Sequence, residues 1–203
     1  MSLPRRSLLS VVIAGASAGA LVWRVAWAED PAMTERSLGS PDAKVTVQEF
    51  FSLTCTHCAA FSRSTFPQVK AELIDTGKVR FVYNDFPLDQ IALSAAAVAR
   101  TLPAARYEPF VQALFANQDR WAFGRDIDPK AELWKTAALA GMSRATFDAA
   151  YDNAALKQWI VAQQNIAQTK YKIDSTPSFV INGRKTAGAV GFKEFADAVA
   201  AAT

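Results

Sequence analysis

Cys55 and Cys58 are the only cysteines in the 203-residue chain, and they sit where a strand pattern gives way to a helix pattern. That junction limits the possible folds more than any other feature. Before it, Val45-Thr46-Val47-Gln48-Glu49-Phe50-Phe51 alternates and is rich in β-branched and aromatic residues, as a strand requires. After Thr54, Phe61, Phe66, Val69 and Leu73 recur at helical spacings, with Gly77 placed to stop the helix and Pro67 expected to kink or divide it. Val79-Arg80-Phe81-Val82-Tyr83 reads as a second strand. Strand, helix and strand together predict a parallel pair with a crossover helix.

From Leu88 to about Lys170 the pattern is helical. Tyr107, Phe110, Val111, Leu114 and Phe115 form one apolar stripe. Asp128-Pro129 is a cap with proline at the first helical position, Gly141 can end that helix, and Ser143 can cap the next. Leu156, Trp159, Ile160 and Ile166 are expected on one side of a last long helix. Then Ser178-Phe179-Val180-Ile181 and Arg184-Lys185-Thr186-Ala187 flank Asn182-Gly183, a strong two-residue hairpin sequence, and residues 192–202 close the chain as a helix. Residues 29–43 read as a polar lead-in. The expectation is one α/β domain over residues 29–203, with a helical insertion at about 88–170.

The first 28 residues read as an export signal. Arg5 and Arg6 precede an apolar, Ala/Gly-rich run from Leu8 to Val22, and Ala26-Trp27-Ala28 fits a small-x-small cleavage site. The apolar run is shorter than the roughly 20 residues of a membrane span. Both Sec and twin-arginine routes stay open. Lys and Arg number 22 and Asp and Glu 19, but Arg5, Arg6 and Arg24 lie in this segment, which holds no acid. Removing them leaves 19 of each sign (22 − 3 = 19), so the body is formally neutral and has no long-range attraction for nucleic acid.

Export places the two thiols in an oxidising compartment. A zinc site needs about four ligands, and the chain has two cysteines and one histidine, His57, wedged between them. Covalent haem attachment needs His directly after the second cysteine, where Ala59 stands. A four-residue disulfide ring stabilises by only about 2 kcal/mol in the loop-entropy model, a poor staple. A reactive dithiol remains. Cys55 at a helix N-cap gains from the unsatisfied N–H groups and the dipole, which favour its thiolate. Cys58, one turn in, is expected to be more buried and to act as the resolving thiol. A protonated His57 would add positive charge beside Cys55. Glu49 shares a strand face with Val45, Val47 and Phe51, where a carboxylate is costly without a role. Proton transfer with Cys58 is one such role, and a structural hydrogen bond or ion pair is the other.

Glu49-Phe50-Phe51-Ser52 followed two residues later by Cys55-Thr56-His57-Cys58 resembles the E-F-F-S-x-x-C-P-H-C pattern of the DsbA family of bacterial periplasmic disulfide oxidoreductases. Asp85-Phe86-Pro87-Leu88 and Thr176-Pro177-Ser178-Phe179-Val180-Ile181-Asn182-Gly183 also fit, and the resemblance spans about residues 38–200. It implies a thioredoxin fold with an inserted helical domain, a cis Pro177 facing the cysteines, substrate binding by Thr176 and Pro177, and Glu49 as the buried acid beneath the site. It implies further a monomeric periplasmic enzyme that needs no metal or organic cofactor. Such an enzyme gives disulfides to unfolded or reduced exported proteins and is reoxidised by a membrane partner of DsbB type. Two residues depart from the pattern: Thr56 replaces the usual proline between the cysteines, and Thr176 stands where the best-known oxidases often have valine. Both touch groups that tune potential and substrate release. An isomerase or reductase using the same pair, and a peptide-binding chaperone with an incidental disulfide, are the alternatives.

Overall fold

In the computed structural model, which describes residues 30–188 and 190–203, the two strand-patterned stretches flanking the first helix pair in parallel. The five strands are β1 (Arg36–Leu38), β2 (Val45–Phe51), β3 (Val79–Asp85), β4 (Ser178–Ile181) and β5 (Arg184–Ala187). Their order is β1-β3-β2-β4-β5, with β2 at the centre. Only β2 and β3 run parallel; β1 lies antiparallel to β3, β4 to β2 and β5 to β4. The export segment expected over residues 1–28 lies outside the described residues. No helix among the described residues is long and apolar enough to cross a membrane.

The crossover from β2 to β3 begins with α1 (Thr56–Ser64), breaks at Thr65, and resumes as α2 (Phe66–Val69) and a π-helical turn over Lys70–Ile74. Pro67 sits in the first turn of the second piece, where its missing N–H costs nothing. Between β3 and β4 come α3 (Gln90–Thr101), α4 (Ala104–Ala116), α5 (Gln118–Trp121), α6 (Pro129–Leu139), α7 (Arg144–Tyr151) and α8 (Ala154–Tyr171). The side chains of Asp89, Asp128, Ser143 and Asn153 cap α3, α6, α7 and α8. The β4–β5 hairpin turns through Asn182 and Gly183, both at positive φ (43° and 86°), as a tight two-residue turn requires. Helix α9 (Phe192–Ala200) follows.

The sheet separates two apolar layers. Val45, Val47 and Phe51 of β2 join Phe61, Phe66, Phe81, Phe179 and Phe195 in the main core, while Phe50 and Val180 face Phe86, Ala167 and Ile173 on the other side. Phe61 and Phe179 rings meet at 4.8 Å and Phe66 and Phe81 at 5.3 Å. Each such ring contributes about 1.5–3 kcal/mol of burial. The stripe Tyr107, Phe110, Val111, Leu114 and Phe115 is buried along α4.

Two local expectations differ from the structure. Part of the polar lead-in forms β1, a three-residue edge strand whose first residue is the buried Arg36 rather than an apolar side chain. On α8, Leu156 and Ile160 are buried but Ile166 is half-exposed, because at about 100° per residue it falls well round the helix from the buried line of Leu156, Ile160 and Ala167.

Candidate active site

β2 delivers the chain to the site at its C-terminal end. Ser52, Leu53 and Thr54 bridge from Phe51 to Cys55, which is the N-cap of α1 (φ −81°, ψ 119°). Cys55 Sγ accepts from the Cys58 backbone N–H at 3.4 Å, so a sulfur takes the place of the usual capping oxygen. Both cysteines are free thiols. Cys58 lies one turn in and is fully buried, whereas Cys55 keeps 7% of its surface.

Opposite Cys55 stands the loop before β4. The Thr176–Pro177 peptide is cis. Cys55 Sγ donates to the Thr176 carbonyl at 3.2 Å. Thr176 Oγ1 is buried with no hydrogen-bond partner beside the Cys55 thiol, which leaves its hydroxyl free to donate to the thiolate, and Pro177 is buried beside it.

The two thiols are driven apart in acidity. Cys55 is pushed down to about 5, chiefly because the Cys58 thiol can donate to its thiolate; partial burial opposes this, and the Thr176 side chain and the Cys58 and His57 backbone N–H groups reinforce it. Cys58 moves far upward, first through burial, then through its bond to Cys55 and the charges of Glu49 and Cys55. Glu49 is 3% exposed and its carboxyl is raised to about 8 by burial, with the Cys55 charge adding to it. At neutral pH this arrangement holds one thiolate, one thiol and a largely protonated carboxylic acid.

The structure brings Cys55, Cys58, Thr176 and Pro177 together and sets Glu49 behind them on β2. The His57 side chain points to solvent at the second position of α1, so this residue reaches Cys55 through its backbone N–H. Among the described residues no group of three or more His, Cys, Asp or Glu side chains could hold a metal ion.

Residues outside the motif hold the cysteine loop in place. Gln118, 2% exposed at the start of α5, donates from Nε2 to the carbonyls of Leu53 (2.7 Å) and Cys55 (3.1 Å). Thr54 donates to Asp89 Oδ2 at 2.7 Å, and Asp89 Oδ1 accepts from Ala92 N at the start of α3. Leu88 N donates to Ser52 Oγ at 3.3 Å. The helical segment therefore grips the redox loop at two points. Asp89 ahead of an alanine-rich helical run carries the signature of an N-cap. Gln118 has no local sequence signal, since its role depends on a contact 63 and 65 positions away.

Comparison with known proteins agrees with this geometry. A family model described as thioredoxin matches residues 32–201. A putative protein-disulfide oxidoreductase of Rickettsia typhi is 30% identical over 150 residues, which cover 73% of this chain and 55% of that protein. The thiol:disulfide interchange protein DsbA of Bordetella parapertussis is 30% identical over 145 residues, 70% of this chain and 65% of that one. The chain thus spans little more than half the length of the Rickettsia relatives it matches. The crystal structure of Wolbachia pipientis alpha-DsbA1 superposes with a TM-score of 0.77 at 30% identity, covering 83% of this chain and 90% of that one. With its motif-bearing loop on β2–α1 and its fold matched over nearly all described residues, the chain belongs to the thioredoxin family as a DsbA-like member.

Proposed function

We propose that the chain is an exported thiol:disulfide oxidoreductase that donates disulfides to folding proteins. The observation that carries this reading is the split between two thiols three residues apart: Cys55 depressed to about 5 and Cys58 buried and raised. A low-pKa thiolate is a good leaving group and stabilises the reduced form, which makes the disulfide form an oxidant.

In the disulfide form a substrate thiolate attacks Cys55 Sγ. The Cys55–Cys58 bond breaks, Cys58 takes the electron pair, and Glu49 supplies its proton. A second substrate thiolate then attacks the substrate sulfur of the mixed disulfide and expels Cys55 as a thiolate. The substrate gains one disulfide and loses two thiol protons, one of which is matched by the proton on Cys58. Residues 29–203 form the working domain, and the segment before them directs export to the periplasm by a Sec or twin-arginine route. His57 adds positive charge at the mouth when protonated. The Thr176 and Pro177 backbone offers an extended, unfolded substrate an edge for strand addition. A membrane partner of DsbB type reoxidises the pair, and the protein works as a monomer.

Thr176 gives a specific reason to hold the isomerase or reductase reading in second place, since it is the residue next to Cys55 that departs from the oxidase pattern. The test is transfer from the disulfide form to a reduced, unfolded protein with several cysteines. Donation predicts one substrate disulfide formed per Cys55–Cys58 disulfide consumed, and none from Cys55→Ser. Repair of scrambled disulfides without net transfer would favour the isomerase. Retained activity in Cys55→Ser would favour a chaperone.

A further inference from the structure

A groove of about 680 Å³ runs between α4 and α6, with α5 at one side, and no residue of the redox site lines it. Helix α4 contributes Arg106, Pro109, Phe110, Ala113 and Asn117, spaced i, i+3, i+4, i+7 and i+11. Helix α6 contributes Glu132, Lys135, Thr136, Leu139 and Ala140, spaced i, i+3, i+4, i+7 and i+8. These are the spacings of a single helix face, so two helix faces form the walls. From Arg106 to Asn117 the groove follows α4 for about 16 Å, three helical turns. Phe110 and Trp121 are buried at its floor. At its rim Leu139 is 91% exposed, more than any other large apolar side chain among the described residues. Covering such a leucine contributes about 1.5–3 kcal/mol.

Unpaired cations stand toward both ends. Arg106 Nη1 donates to the Ala140 carbonyl at 3.1 Å, where the start of α4 meets the end of α6. Gly141 closes α6 there at φ 82°, and a Cβ on it would come to 2.9 Å from the same Nη1. The glycine therefore leaves the guanidinium its place. Arg120 lies on α5, just past the other end of α4. Among the described residues no carboxylate lies within 4.0 Å of either guanidinium, whereas Lys135 is paired with Glu132 at 2.6 Å.

We propose that this groove docks a short amphipathic helix of a partner protein, about three turns long, with an apolar face and a carboxylate near each end. Helix-in-groove recognition uses anchors at i, i+3, i+4 and i+7, the spacing that both walls present. The anchors pack on Phe110, Trp121 and Leu139, and the carboxylates pair with Arg106 and Arg120. Charge excludes occupants from the chain itself. Residues 1–28 hold Arg5, Arg6 and Arg24 and no acid. Apart from α6, the described helix that keeps large apolar side chains exposed is α8, through Val161 and Ile166, and it carries Lys157 and Lys170 and no acid. A second copy thus has no acidic apolar helix to offer. None of Cys55, Cys58, Thr176 or Pro177 lines the groove, so partner and substrate occupy different surfaces. The docking site goes beyond the proposed exchange reaction and stands without it.

The test titrates the full chain with an alanine-based helical peptide of about 12 residues, bearing leucines at i, i+3, i+4 and i+7 and a glutamate near each end. NMR follows the backbone amides of α4 and α6 and those of Cys55 and Thr176. Docking predicts saturable shifts along α4 and α6, with the Cys55 and Thr176 amides unmoved. Arg106→Glu combined with Arg120→Glu should weaken binding about 10-fold, as should lysine in place of glutamate in the peptide, and added salt should weaken it further. Both arginines are exposed, and the double variant should exchange thiols at the wild-type rate. Absence of saturable shifts, equal binding of the lysine peptide, or shifts centred on Cys55 and Thr176 would each overturn the proposal. So would a wild-type chain that sediments as a dimer and becomes a monomer with Leu139→Asp, since a second copy would then fill the groove.

Discussion

Cys55 Sγ and the Thr176 carbonyl oxygen lie 3.2 Å apart although 121 positions separate them in the chain. Their meeting joins the N-terminus of α1 to the loop before β4, and with it the reacting sulfur to the backbone that would hold a substrate. The same sulfur accepts from Cys58 N, so the thiol is held on two sides; the thiolate keeps the Cys58 N–H, since a carbonyl oxygen has no proton to give it.

This thiolate links redox state to pH. Cys55 is lowered in the folded protein from 9.0 to about 5. Its stabilising contribution is therefore full above pH 9 and is lost as pH falls through 5. The disulfide form carries no such thiolate. The unfolding free energy of the reduced form, minus that of the disulfide form, should rise by about 2–3 kcal/mol between pH 5 and 8. Denaturant titrations of both forms at several pH values check this.

Glu49 has the opposite sign. Its folded value is raised from 4.5 to about 8, so it costs nothing below pH 4.5 and destabilises progressively up to pH 8. Glu49→Gln should raise stability at pH 8 by about 2–4 kcal/mol and slow thiol exchange by about 10²-fold, the usual scale of a lost proton-transfer group. Gain in stability together with loss of rate marks a group kept for chemistry; loss of both would make Glu49 structural.

Gln118 supplies the donors for two buried carbonyls of the redox loop. Gln118→Leu keeps the volume and removes both bonds. The expected cost is about 2–3 kcal/mol, with a further loss of exchange rate as the Cys55 cap loosens. Thermal unfolding and thiolate absorbance, measured together, separate the two effects.

A buried ion pair fixes the start of the helical segment. Arg100 Nε donates to Asp85 Oδ2, and Tyr107 donates to Asp85 Oδ1 at 3.4 Å. Arg36 lies beside them and donates to the Arg100 carbonyl at 2.7 Å. Asp85 is the one carboxylate facing these two guanidinium groups among the described residues. Asp85→Ala should destabilise by about 3–5 kcal/mol, because it leaves two buried cations without a counter-charge. A shift in the urea midpoint reads this directly.

The elements legible in the sequence are those specified by local pattern. β2 alternates, Asn182-Gly183 dictates its hairpin, and Asp128 and Ser143 cap helices because each has the right neighbours. Cys55, Cys58 and Glu49 could be picked out because each is chemically out of place for a bland role. What stayed hidden depends on distant contacts. β1 has three residues and a buried arginine, so nothing in its own pattern marks a strand. Gln118 gains its role only when α5 reaches the redox loop. His57 stands out in the sequence by its place between the cysteines, but that its backbone N–H meets the Cys55 sulfur while its side chain is exposed is visible only in the folded loop.

The reduction potential of the Cys55–Cys58 pair, obtained by equilibrating the protein with glutathione, tests the central claim most directly. Disulfide donation predicts a potential near about −120 mV, with the strong oxidants of this fold. A value near about −230 to −270 mV, among its reducing members, would contradict donation and assign the same two cysteines to reduction or isomerisation.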